Sequence, residues 1–275
     1  MPSKSSDIEL RLLLEAIYQR YHYDFRGYSF ESMSRRLAKA KDRFECRSYS
    51  MLQDRVLHEP SILPELMAFL TVQVSEMFRD PSYFRALRDE IIPYLKTFPS
   101  IKVWVAGCSS GEEVFSLAIL FREEGLENRT MFYGTDINTE ALRKAEKGMY
   151  SLDRIPLFTQ NHRLSGGKSS LSNYYTAAYG SAVFDKSLRE RAVFSDHSLV
   201  TDTVFAEVQL ISCRNVLIYF SKDLQDRAIG LFKDALSRKG YLGLGSKESL
   251  LTSRYSGAFT QCVKRERIYE KREEN

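Results

Sequence analysis

Residues 101–120, IKVWVAGCSSGEEVFSLAIL, restrict the possible folds more than any other stretch of this chain. The apolar run from Ile101 to Ala106 has the length of one buried strand. It breaks into the small-residue patch Gly107-Cys108-Ser109-Ser110-Gly111, and an apolar pattern at helical spacing follows. A strand, a tight turn and a helix in immediate succession form the opening half of a βαβ unit. The alternation continues downstream. MFYGTD (131–136), AVFSD (192–196), VQLISC (208–213), GYLGLGS (240–246) and the Cys262–Tyr269 stretch read as strands, with helical patterns over 112–124, 139–147 and 222–237. This predicts an α/β domain whose mostly parallel sheet of six or seven strands carries helices on both faces. Residues 159–182, with Ser-Gly-Gly-Lys and Tyr-Tyr, fit neither pattern, so a small β-subdomain is expected within 159–195.

Ahead of about residue 95 the chain reads as helices. Ile8, Leu12, Ala16 and Gln19 recur at helical spacing, and Phe30, Met33, Leu37, Ala40 and Phe44 form a second stripe. Arg35, Lys39 and Arg43 fall on another face of that second helix, with Arg36 beside them. Two shorter helices are expected over 50–58 and 62–70. Asp80-Pro81 offers a capping side chain and a preset φ, so a helix should start at 81 and run to about 95. The expected division is a helical N-terminal domain over 1–78 and a sheet domain over 79–275.

Composition removes several classes. With 43% hydrophobic and 28% charged residues, the chain is globular rather than disordered. No apolar run approaches the roughly 18 residues of a membrane span, and MPSKSSDIEL lacks a signal-peptide core. A cytoplasmic protein without direct membrane insertion is expected. Cys46, Cys108, Cys213 and Cys262 lie too far apart for a disulfide framework or a metal site. A net charge of +4 does not call for a nucleic-acid partner.

In a doubly wound sheet, ligands bind outside the carboxyl ends of the strands, beside the first strand-to-helix turn. The patch at 107–111 occupies that place, with small residues for close approach and helix-opening N–H groups facing the ligand. Asp136 ends the next strand, near the offset at which an acid takes up ribose hydroxyls. Glu112 and Glu113 discriminate among nucleoside cofactors. They would repel the pyrophosphate of a nicotinamide dehydrogenase and attract an ammonium. S-adenosylmethionine carries an α-ammonium, a sulfonium and no phosphate. The alternative is that acids in a first helical turn simply complement the macrodipole.

Four further stretches are SEMFRDPSYF (75–84), FSDHSL (194–199), ISCRNVLIYF (211–220) and GYLGLGSKESL (240–250). With AGCSSGEEVFSLAIL and TDINTEAL, in this order, they closely resemble the CheR-type chemotaxis receptor methyltransferases over nearly the whole chain. The resemblance implies a class I methyltransferase (Rossmann-like) sheet behind a small all-helical domain, in a monomer. It also implies methyl transfer from S-adenosyl-L-methionine, leaving S-adenosyl-L-homocysteine, to glutamates on chemoreceptor cytoplasmic helices. By resemblance, Arg79 lies beside the cofactor and the acceptor carboxylate, and Tyr219 reaches the reacting centre. Glu113, more than Glu112, would hold the ammonium, and Asp136 the ribose. Ser198-Leu199 and Arg214-Asn215 would line the adenosyl and methionyl portions, with Gln73, Ser75 and Gly107 completing the pocket. The family commonly has Asn and Thr where this chain has Gln73 and Ser75, Asn at Ser198, and an acid at Gln209.

A carboxylate attacking a sulfonium methyl is already ionised at neutral pH and needs no general base. His197 therefore reads as structural. The face formed by Arg35, Arg36, Lys39 and Arg43 is expected to dock an acidic partner helix. Two rivals stand beside this reading: a methyltransferase with another acceptor, and a non-catalytic cofactor-sensing or interaction protein whose pocket drifted at Gln73, Ser75 and Ser198.

Overall fold

The computed structural model describes residues 4–273; Met1–Ser3, at the head of the N-terminal stretch read above, lie outside the described residues. The chain forms two compact units. The first comprises residues up to Gln73 together with 199–202 and 219–228, and the second comprises 74–198, 203–218 and the remainder from 229.

The first unit contains α1 (Ser5–Tyr21), α2 (Phe30–Arg43), α3 (Tyr49–His58) and α4 (Leu63–Leu70). Helix α1 buries Leu10, Leu13, Leu14 and Ile17. Of the stripe noted in the sequence, Ala16 is buried, whereas Ile8 and Leu12 are 48% and 52% exposed. Apolar residues encircle α1, and the denser leucine ridge takes the core. Helix α2 buries Met33, Leu37 and Ala40 as the spacing requires. Ser48 caps α3, its hydroxyl accepting from the Met51 N–H at 3.1 Å.

In the second unit, α5 (Pro81–Ala86) passes through a π turn at Leu87–Ile91 into α6 (Ile92–Leu95). The expected Asp80 cap is absent. Asp80 sits at φ 57 with no side-chain capping bond, because its carboxylate is engaged by Arg214 at 2.7 Å. The chain continues through β1 (Ile101–Ala106), α7 (Glu112–Glu123), β2 (Thr130–Asp136) and α8 (Thr139–Lys147). Then come β3 (Met149–Ser151), α9 (Ile155–Leu164), β4 (Tyr175–Ala178), β5 (Ser181–Phe184), α10 (Lys186–Arg189) and β6 (Ala192–Asp196). The last elements are β7 (Val208–Cys213), α11 (Lys222–Ala235), β8 (Leu236–Leu244), β9 (Phe259–Val263) and β10 (Ile268–Lys271).

Seven strands form one sheet in the order β6-β2-β1-β7-β8-β10-β9. The first five run parallel, and β10 is antiparallel to both of its neighbours. The single strand expected over 262–269 is instead two strands, since Lys264-Arg265-Glu266-Arg267 is too polar to stay in the sheet and Arg267 turns the chain at φ 54. Strands β3, β5 and β4 form a separate three-stranded antiparallel sheet, whose β4–β5 turn places Tyr179 and Gly180 at φ 48 and 73. Its first strand lies ahead of the 159–195 window, because three residues are too few for period-two alternation to register.

Strand β1 is buried on both faces, as a covered parallel sheet demands. Its Trp104 is fully buried, and the indole N–H donates to Thr135 Oγ1 at 2.8 Å. Helix α7 is buried almost all round, which explains why apolar residues fill nearly every position from 114 to 121. Chain order reverses between β1 and β7: β2 and β6 lie to one side, β7 and β8 to the other. The crevice outside the carboxyl ends of the strands therefore opens at Gly107 and Arg214.

Candidate functional site

Five segments of the second unit meet at those carboxyl ends: 75–80, the 107–113 turn, Asp136, the 212–216 turn after β7, and Gly245–Glu248 after β8. Their backbone is unusually strained. Phe78, Asp80, Ser109 and Asn215 have φ values of 51, 57, 50 and 61, a region non-glycine residues rarely adopt and one that concentrates at functional sites. The conformations are held by specific bonds. Phe78 N–H donates to Ser116 Oγ at 2.8 Å, and Ser109 N–H donates to Asp136 Oδ2 at 2.8 Å.

The glycines of the turn serve the protein's own packing. A Cβ on Gly107 (φ 74) would lie 2.4 Å from a Val216 methyl, and one on Gly111 (φ 89) 2.8 Å from the Ala145 Cβ. Close approach of a ligand is not what demands glycine at these two positions.

The paired acids have different surroundings. Glu112 is fully buried; Arg154 meets it at 2.7 Å, and the Ser110 hydroxyl donates to it. The Arg154 guanidinium also donates to Ser75 O. Glu113 keeps 14% of its side chain accessible. It accepts from the Ser212 hydroxyl and from Arg214 at 3.1 Å. Because Ser212 gives its proton to Glu113, the buried Tyr83 hydroxyl, 2.8 Å away, must be the donor to Ser212. Burial pushes the Tyr83 hydroxyl well above its ordinary range. Arg214 is the hub: it joins Glu113, Asp80 and Arg79 O, and lies 4.2 Å from the Tyr83 ring centre.

Asp136 accepts from Ser109 N–H and from Asn138 N–H, and burial raises its pKa. Glu248 is buried and also raised by burial; backbone N–H groups of Gly245, Asn215, Val216 and Ile218 donate to it. Neither carboxylate has a cationic partner among the described residues. Asp80, Glu112, Glu113, Asp136 and Glu248 stand here beside Arg79, Arg154 and Arg214, of which Arg154 pairs with Glu112 and Arg214 with Glu113 and Asp80. A site with more carboxylates than guanidiniums suits a ligand with ammonium and sulfonium charges and opposes a pyrophosphate.

The structure brings together Ser75, Arg79, Gly107, Glu112, Glu113, Asp136, Arg214 and Asn215, with Ser198 just beyond β6. Gln73, Leu199 and Tyr219 belong to the first unit. There the Gln73 amide donates to Thr71 Oγ1 at 3.1 Å, Leu199 is buried, and Tyr219 O accepts from Ser29 N–H at 2.8 Å. Two expectations need correction. Glu112 is fully buried behind Arg154 and Ser110, so it presents no surface to a cofactor here. Arg36 does not belong to an open docking face: it is buried, donates to Leu70 O at 2.6 Å, and its guanidinium lies 4.4 Å from the Tyr219 ring centre. Arg35, Lys39 and Arg43 remain exposed, Arg43 in a 2.8 Å pair with Glu65. His197 packs edge-on against Trp104, with its Nε2 3.1 Å from Thr203 O. Sequence reasoning missed Arg154, Tyr83, Ser212 and Glu248. Tyr83, Ser212 and Glu248 lie inside stretches already singled out, whereas Arg154 carries no local signal.

A seven-stranded sheet of this order, with an acid-rich turn after its first strand, defines a class I S-adenosylmethionine-dependent methyltransferase. Residues 73–266 match the SAM-binding domain of the CheR methyltransferases, and residues 8–71 match their all-alpha domain. The chain belongs to the CheR methyltransferase family, and S-adenosylmethionine is its cofactor. It is 56% identical over 268 residues to Cher3 of Pseudomonas putida, covering 98% of each chain. It is 31% identical over 192 residues to a chemotaxis protein methyltransferase of Listeria innocua, covering 69% of this chain and 70% of that one. Among solved structures, magnesium protoporphyrin IX methyltransferase of Synechocystis with bound SAH is similar at a TM-score of 0.34 and 17% identity, with 74% of each chain covered.

Proposed function

We propose that this methyltransferase esterifies glutamate side chains on the cytoplasmic helices of chemoreceptors. The observation that carries the reading is the state of Arg79. Of the three arginines at the site, Arg154 and Arg214 are each paired with a carboxylate. Arg79 has no such partner among the described residues; its guanidinium donates only to Val74 O at 3.3 Å. A planar fork left open beside the crevice matches an incoming carboxylate.

When bound, the cofactor supplies an electrophilic methyl on a positive sulfonium. Glu113, with its accessible edge, would hold the ammonium. Asp136, held by backbone N–H groups of Ser109, Asn138 and Ile137, would take the ribose hydroxyls. The Gly107 backbone, Asn215, Ser75 and Ser198 would line the remainder. Arg79 would align an acceptor already ionised at neutral pH, and alignment is the main contribution such a displacement needs from the protein. Gln73, Leu199 and Tyr219 enter this reading from the family resemblance alone. Membership in a family whose relatives are named chemotaxis protein methyltransferases supports the receptor as acceptor, and the exposed Arg35, Lys39 and Arg43 suit an acidic helix.

The test is transfer of labelled methyl groups to a panel of receptor cytoplasmic fragments. Wild type should label glutamates as base-labile esters, and Arg79→Ala should lower the rate by about two orders of magnitude. Undiminished transfer by Arg79→Ala, or labelling confined to other side chains, would overturn the proposal.

A further inference from the structure

The turn after β7 carries Arg214 and Asn215, and nothing within the turn explains how it keeps its shape. Asn215 holds φ 61, and the residues that follow leave the sheet without regular pairing until the turn at Leu217–Tyr219. The fixing group comes from 33 residues downstream. One oxygen of Glu248 accepts from Asn215 N–H at 3.0 Å and Gly245 N–H at 2.6 Å. The other accepts from Val216 N–H at 2.9 Å and Ile218 N–H at 3.3 Å. The carboxylate is buried and has no cation beside it among the described residues, so converging backbone dipoles are what stabilise it there. Gly245 permits this convergence: a Cβ there would lie 2.7 Å from Glu248 Oε2 and 2.8 Å from Asn215 N.

We propose that Glu248 is a positioning residue for cofactor binding, a carboxylate clamp that fixes the Arg214–Asn215 turn without touching the cofactor. The proposal rests on the reading above, in which Asn215 faces the cofactor. Every lone pair that Glu248 directs at the turn is taken by a backbone donor, so it has no chemical role to play in the displacement. Val216, the second residue it grips, is also the one against which Gly107 packs. The clamp therefore sets the spacing between the two turns that frame the crevice.

The test uses the full chain with Glu248→Gln, an isostere whose amide turns a donor toward backbone donors. Glu248→Asp retains the charge but is one methylene short. Leu126→Ala, at a buried residue just beyond the end of α7, is the destabilising control away from the site. Calorimetry with S-adenosylhomocysteine, well below the unfolding temperature of each variant, is paired with hydrogen exchange over 214–218. Glu248→Gln should raise Kd about tenfold and speed exchange in that segment, with Glu248→Asp intermediate and Leu126→Ala within about twofold of wild type. Wild-type exchange over 214–218 in Glu248→Gln overturns the clamp, as does equal weakening by Leu126→Ala. If Glu248→Gln does not fold, the same criteria apply to Glu248→Asp. Asn215→Ala separates the underlying reading: unchanged Kd in that variant removes Asn215 from the cofactor site, while exchange still reports on the clamp.

Discussion

Glu112 and Glu113 are adjacent in sequence, yet each has acquired its own arginine from a different part of the chain. For Glu112 that partner is Arg154, and the carboxylate it neutralises is wholly buried. Arg154→Ala should therefore cost about 3 kcal/mol of unfolding free energy, read as a lower urea midpoint at unchanged slope. Replacing both partners with apolar residues of similar volume should recover much of that loss, because the penalty comes from the stranded charge rather than from the lost pair. The acids themselves were legible, since they stand in one contiguous motif at a position every doubly wound sheet uses. Their partners were not. Arg154 lies 42 residues from Glu112, in Leu-Asp-Arg ahead of a helix, and side-chain pairing across that distance leaves no periodic trace.

Periodicity located the elements well but could not always say which way they face. The run IKVWVA became β1 and GEEVFSLAIL opened α7, because a central strand and a helix buried almost all round need unbroken apolar sequence. Helix α1 was placed, yet spacing did not tell its buried side, because apolar residues surround it and packing takes Leu10, Leu13, Leu14, Ala16 and Ile17. Helix α2 shows how burial divides four cations that look alike in sequence. Arg36→Ala should destabilise the first unit by about 2–4 kcal/mol, since it removes a charged bond to Leu70 O and the contact with Tyr219. Arg35→Glu with Lys39→Glu should leave the urea midpoint nearly unchanged and slow transfer to a receptor fragment about tenfold at low salt, with the gap closing as salt rises. Equal rates at every salt concentration would remove this face from docking.

Across the molecule, buried acids pull the pH dependence in opposite directions. Burial alone would raise Glu123, but bonds and charges from His162 and Arg88 hold it down to about 2 against an ordinary 4.5. Its stabilisation is therefore complete above about pH 4.5 and is lost as pH falls toward 2, a contribution on the order of 3 kcal/mol. Asp136 and Glu248 are raised by burial, so their contribution has the reverse sign: present at low pH, lost as pH rises through their elevated values. Thermal unfolding of Glu123→Gln between pH 4.5 and 2 should be flatter than wild type; a parallel curve would show that Glu123 does not govern acid stability. The composition of the first unit has a further consequence, in time rather than in energy. Residues 199–202 and 219–228 belong to it, so a ribosome releases α1 to α4 long before the segments that complete it. Strands β1 to β7 emerge in the interval. Completion of the first unit therefore follows the emergence of β1 to β7 instead of preceding it, unlike the head-first order of independent domains.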